Sequence, residues 1–146
     1  TSSLGVEVEI SQQMKEFLNW FANFTYMDTH IQNDIYEDQE GSNVPFSPEF
    51  VANAGLNFSF DFGLNFSPYL NYNSGYYDSP SISGRTLFTP GLLMNVYISQ
   101  ALIKNETFNI ELFGKFYNIT NNKYEMPWQF QNTGFSVTGG LTLTFN

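Results

Sequence analysis

Seven stretches of the chain alternate apolar and polar residues with a period of two. Leu4, Val6, Val8 and Ile10 alternate with Gly5, Glu7, Glu9 and Ser11, and Leu18, Trp20, Ala22, Phe24 and Tyr26 with Asn19, Phe21, Asn23 and Thr25. Ala52, Ala54, Leu56 and Phe58 alternate with Asn53, Gly55, Asn57 and Ser59, and Leu64, Phe66, Pro68, Leu70 and Tyr72 with Asn65, Ser67, Tyr69 and Asn71. The same period runs through Leu92, Met94, Val96 and Ile98, then Phe108, Ile110, Leu112 and Phe116, and finally Phe135, Val137, Leu141, Leu143 and Phe145. A period of two places alternate side chains on opposite faces of a strand. Several runs reach ~10 residues, longer than the ~5–6 usual in globular sheets and long enough for a tilted strand to cross a bilayer. No helical period competes with them. Pro68 falls inside a run, where its missing N–H predicts a bulge or a rim position.

The connections alternate between short and long. Short turns are expected near 12–16, 61–63 and 104–106, and long polar connections over 29–48, 73–86 and 120–134. Short turns at one end and long loops at the other describe an outer-membrane-type barrel. The fold expected is therefore all-β, an antiparallel up-and-down meander of about seven transmembrane strands. On this reading the C-terminus lies on the periplasmic side, and the odd strand count puts the N-terminus on the outer side, as if cut within an outer loop.

Composition supports a lipid-facing sheet. Charged residues make up only 13 % of the chain against roughly 25 % in soluble domains, while aromatic residues reach 18 %. Asn, Ser and Thr carry the polarity instead, as a neutral lumen and an apolar exterior require. Leu18, Phe24, Leu56, Phe58, Val96, Leu141 and Leu143 are expected outside, with Asn53, Asn57, Tyr69, Asn95, Tyr97, Ser99, Thr138 and Thr142 facing the lumen. Aromatics near the run ends, among them Trp20, Tyr26, Phe50, Phe60, Phe66, Phe108 and Phe145, predict girdles at the two membrane boundaries. No apolar run reaches the roughly 18 residues of a membrane helix, and no basic segment followed by an apolar one opens the sequence as a signal peptide does. The numbering is expected to begin within a mature protein or a fragment of one. The net charge of −9, five Lys and Arg against 14 Asp and Glu, argues against a nucleic-acid partner. With no cysteine, disulfides and thiolate metal sites are excluded.

Five segments, in order along nearly the whole chain, resemble the TonB-dependent outer-membrane receptors. Gly5-Val6-Glu7-Val8-Glu9 is similar to a G-x-E-x-E strand opening. The run from Phe21 to Asp28 resembles the A-N-Y-T-Y-x-D strand, and Val44-Pro45-Phe46-Ser47-Pro48 the V-P-x-x-P re-entry segment. Phe116 to Tyr124 is similar to V-x-N-L-F-D-K-x-Y, with Thr120 and Asn121 in place of Phe and Asp. Residues 134–145 resemble the final strand that the barrel-assembly machinery reads, although the chain ends in Asn146 rather than in the aromatic Phe145. The resemblance implies the C-terminal part, residues 1–146, of a barrel of about 22 strands, its plug domain lying outside this chain. It further implies a bacterial outer-membrane location, contact with membrane lipid, coupling to the TonB complex through the missing N-terminal part, and uptake of a scarce nutrient such as a siderophore or other metal chelate, a vitamin or a glycan.

Catalytic chemistry finds little support. The single histidine, His30, is expected in the first long loop with no apparent nucleophile beside it. Asp28, His30, Asp34 and Asp38 form the candidate ligand contact, since hard cations, as in a metal chelate, favour carboxylate oxygens. Their spacing fits no calcium-loop pattern, no metal or cofactor site is assigned, and a solvated acidic loop is the plainer reading. Asn-x-Ser/Thr triplets such as Asn23-Phe24-Thr25 arise from the alternation itself rather than marking glycosylation. Two other readings stay open. One is a small stand-alone outer-membrane barrel with a structural or adhesive role. The other is a soluble ligand-binding β-barrel whose apolar faces pack inward.

Overall fold

The computed structural model describes residues 1–128 and 130–145. Asn146 lies outside them, so the expectation placed on it concerns a residue not described. The strands are β1 (Ser2–Lys15), β2 (Leu18–His30), β3 (Phe50–Ser59), β4 (Leu64–Asn73), β5 (Tyr76–Tyr77), β6 (Leu87–Phe88), β7 (Gly91–Lys104), β8 (Phe108–Tyr117) and β9 (Ser136–Phe145). Seven of them form one antiparallel sheet in the order β1-β2-β3-β4-β7-β8-β9. The two-residue strands β5 and β6 pair with each other inside a long loop. That small hairpin, and a 3₁₀ turn at Glu37–Gln39, have no period-two signal to announce them.

Register carries the alternation across the whole sheet, because paired residues share a face. On one face Ile10 pairs with Ala22, Ala22 with Ala54, Ala54 with Leu70 and Leu70 with Met94. The same face continues through Val96 with Phe116 and Phe116 with Val137. On the other, Glu9 pairs with Asn23, Asn23 with Asn53 and Asn53 with Asn71. Leu18, Phe24, Leu56, Phe58, Val96, Leu141 and Leu143 all fall on the apolar face. The polar face takes Asn53, Asn57, Tyr69, Asn95, Tyr97, Ser99, Thr138 and Thr142.

Among the described residues no apolar core encloses either face. The only buried hydrophobic side chain among them is Phe88, in the loop hairpin, whereas Leu141 is 67 % exposed and Asn95 only 4 %. Large contiguous apolar surface left open marks a lipid or partner surface. The inward-packed arrangement of a soluble barrel is therefore not what the chain adopts. Aromatic rings gather at both ends of the apolar face. Phe17, Phe58, Phe60, Phe62 and Phe66 stack at the short-turn end, and Phe24, Phe50 and Tyr26 at the other. Phe50 and Phe58 are eight residues apart, ~26 Å of strand, or ~20 Å of height at a tilt of ~40°.

Three details correct the sequence reading. Pro68 makes neither a bulge nor a rim: it lies mid-strand in the central β4, pairs with Val96, and the β3–β4 register is the same on either side of it. The ladder simply lacks pairs between Gly55–Tyr69 and Phe58–Phe66, because flanking bonds hold the register where the proline has no N–H to give. Bulges occur instead near the short turns, at Gln13/Lys15 and Ala101/Ile103. The strand β2 also runs on to His30, since Thr29 and His30 pair with Ser3 and Ser2. Asp28 and His30 thus end a strand rather than belonging to the first long loop.

Candidate functional site

The polar face is organised by a line of side-chain amides. Asn53 donates through Nδ2 to Asn23 Oδ1 at 2.7 Å, Asn71 donates to Asn53, and Asn95 donates to Asn71. Asn95 Oδ1 then accepts the backbone N–H of Asn118 at 2.9 Å. Each amide offers two donors and an accepting oxygen, so a row of them satisfies itself across five segments without charge. Beside this row the ring of Phe21 lies over Gly55, where a Cβ would stand only 2.6 Å from the ring edge. Tyr69, Tyr97, Phe113, Lys115, Tyr117 and Thr142 line an open cleft of about 540 Å³ on the same face. There the Tyr97 hydroxyl donates to Glu111 at 3.4 Å, and the Lys115 ammonium lies 5.8 Å from the Phe113 ring centre. Of the residues expected to face a lumen, Asn53, Asn95, Tyr69, Tyr97 and Thr142 take part in these two features, and Asn57 pairs with Asn19 on the same face.

The four acidic-loop candidates are not brought together. Asp28 and His30 stand on the apolar side, beyond the pairing of Tyr26 with Phe50. His30 Nε2 lies 3.0 Å from Asp28 Oδ1, and Nδ1 lies 3.3 Å from the Gly41 carbonyl. The Gly41 carbonyl first, and the Asp28 carboxylate second, raise the His30 pKa above its ordinary 6.5. Asp34 is exposed. Asp38 instead ties the first long loop (31–49) to the second (74–90). It accepts from the Ser81 hydroxyl and from the Ser83 N–H at 2.9 Å, while its own carbonyl accepts the Ile82 N–H at 2.8 Å. Those side-chain bonds, with a smaller contribution from Arg85, hold the Asp38 carboxyl below its ordinary range. Arg85 itself lies 3.7 Å above the Tyr77 ring. No group of three or more His, Asp or Glu side chains among the described residues is placed to share a metal ion.

What the sequence reading missed is an aromatic cluster built from all three long loops. The Phe46 ring from the first loop lies 6.1 Å from Tyr76 of the second and 6.2 Å from Trp128 of the third, the latter at 81°. Phe46 is also bonded through its N–H to the Tyr77 carbonyl at 2.8 Å. Both Phe46 and Trp128 have left-handed backbone, φ 58° and 59°, a conformation that bulky residues rarely adopt and that costs on the order of 1–3 kcal/mol. Burial among these rings, with Tyr124 nearby, raises the Tyr76 phenol pKa. An isolated tryptophan in a polar loop was the available signal, but period-two reasoning has nothing to say about residues outside strands.

An antiparallel meander with one open apolar face, an amide-lined opposite face, two aromatic girdles and all long loops at one end defines the wall of a transmembrane β-barrel. The chain belongs to the TonB dependent receptor-like, beta-barrel family, whose profile matches residues 1–119. Among solved structures it is similar to the ferric yersiniabactin uptake receptor FyuA from Yersinia pestis, with a TM-score of 0.66 and 19 % identity. That match covers 97 % of this chain but only 22 % of the receptor's. No curated protein matches the chain.

Proposed function

We propose that residues 1–146 form the C-terminal part of the barrel of a bacterial outer-membrane receptor that takes up a scarce nutrient with energy delivered by TonB. The observation that carries this reading is the exposed apolar face of the sheet backed by the asparagine row. An amide-lined face opposite an apolar one suits a sheet between lipid and an aqueous lumen. Because β1 and β9 do not pair with each other, the sheet has two open edges, which hydrocarbon does not tolerate. Further strands must close it, and the rest of a receptor barrel supplies them. On this reading the plug and the TonB-contacting segment lie upstream, β9 is the strand read by the barrel-assembly machinery, and lipid covers the apolar face. The long loops meet the nutrient, a metal chelate, a vitamin or a glycan. The protein binds its ligand and translocates it.

The test is made on the whole receptor in its own host. It should fractionate with outer membranes, need detergent for extraction, and support uptake that is lost on deleting either the receptor or TonB. Recovery in the soluble fraction without detergent, or uptake indifferent to TonB, would overturn the proposal.

A further inference from the structure

We infer that the Phe46–Tyr76–Trp128 cluster is a stacking site for the rings of a neutral oligosaccharide at the loop end of the wall. The inference rests on reading the chain as part of an outer-membrane receptor, and narrows the nutrient of that reading to one chemical class. Three loops far apart in sequence bring rings to the same spot, the second through Tyr76, which is stacked at 6.1 Å on the buried Phe88. Trp128 nevertheless remains 79 % exposed and Phe46 49 %. The cluster therefore presents open aromatic surface rather than filling a loop core, and such surface suits a ligand with a flat apolar side.

Charge narrows that ligand. Across residues 31–49, 74–90 and 118–135 the sequence holds seven acidic residues, Asp34, Glu37, Asp38, Glu40, Glu49, Asp78 and Glu125, against two basic ones, Arg85 and Lys123. Arg85 is already committed to the Tyr77 ring. A ligand bearing several negative charges, such as a tris-catecholate chelate or a phosphorylated sugar, meets net repulsion here. Ionised carboxylates only accept hydrogen bonds, so the complementary ligand is rich in donors. A neutral sugar ring suits this setting: its C–H face meets the electron-rich aromatic face, and its hydroxyls bring donors without adding negative charge to acidic loops. An organic ammonium with N–H groups would donate as well, and spermidine is the probe that tests it; a quaternary ammonium has no N–H to donate and needs a cage of rings standing apart around it. Here Phe46 packs against Trp128 and against Tyr76 at about 6 Å, which leaves an outward surface and no such gap.

The test uses the whole receptor, purified in detergent and titrated calorimetrically with maltohexaose, cellohexaose and mannohexaose. Spermidine and a ferric tris-catecholate serve as cationic and anionic comparisons. At least one hexasaccharide should bind, with affinity falling about tenfold in Trp128→Ala and about threefold or less in Trp128→Phe. Heat-modifiable gel mobility of each variant shows that the barrel is intact. The inference is overturned if no hexasaccharide binds, if binding is indifferent to Trp128→Ala, or if only spermidine or the ferric chelate is sensitive to that change. TonB-dependent uptake that persists alongside such a failure would sink this inference alone. Hexasaccharide binding by a protein that needs no detergent would sink the membrane-receptor reading instead.

Discussion

Asn53 and Asn23 pair directly across β2 and β3, and the Asn53 amide donates to the Asn23 oxygen at 2.7 Å. One residue back on β3 and one residue on along β2, on the opposite face, Ala52 pairs with Phe24, whose ring is 41 % exposed. A single register thus builds a satisfied polar surface and an unsatisfied apolar one from adjacent residues. Asn53 is an interior member of the row, because it also accepts from Asn71. Asn53→Leu should therefore break two hydrogen bonds and leave the Asn23 oxygen and the Asn71 amide N–H, both partly buried, without those partners. The expected cost is about 1–3 kcal/mol, read as a shift in the urea-unfolding midpoint of the whole receptor in lipid vesicles. Asn19→Leu, outside the row, should cost less.

Gly55 is required by the ring that crosses it. A Cβ there would lie 2.6 Å from Phe21 Cε1 and 2.9 Å from Tyr69 Cβ. Gly55→Ala should destabilise by about 1–3 kcal/mol through overpacking. Adding Phe21→Ala should recover much of that, giving a favourable coupling in a double-mutant cycle. Independent, additive losses would show that the ring does not sit on the glycine.

The His30 clasp predicts a pH dependence of the first long loop. Asp28 and the Gly41 carbonyl both accept, so both ring contacts are made together only by the imidazolium, which has two N–H donors. Its pKa is raised above 6.5 by the Gly41 contact and then by Asp28. A raised folded-state pKa means the clasp contributes fully below the unfolded value and is lost as pH rises through the folded one. Proteolytic nicking within 31–49 should accordingly accelerate as pH climbs through the region above 6.5. His30→Gln should flatten that dependence, once the protease's own pH profile is divided out.

How much of this was legible follows from where period two applies. The pairing of Ala54 with Ala22 and Leu70, and the opposite facing of Asn53, needed only alternation and an antiparallel meander. Pro68 misled because a proline's lost hydrogen bond argues locally for a bulge, while ten paired residues on the β7 side hold the strand in line. Asp28 and His30 read as loop because their polarity interrupts the apolar alternation, yet β1 is long enough to pair with both. Neither the Asp38–Ser81 tie nor the Phe46–Trp128 contact was accessible. Both join residues that are tens of positions apart through irregular backbone, and no periodicity encodes such a meeting.

The most direct test of the account compares two neighbours on β3. Leu56 lies on the apolar face near the middle of its strand and is 40 % exposed, while Asn57 pairs with Asn19 on the polar face. Adjacent positions share depth and differ only in face. In the whole receptor refolded into lipid vesicles under a urea titration, Leu56→Arg should cost about 2–4 kcal/mol, the midplane penalty for a charge facing lipid. Asn57→Arg should cost clearly less, because water and amides in the lumen solvate the guanidinium. Equal costs, or a larger cost at Asn57, would contradict the assignment of lipid to the apolar face.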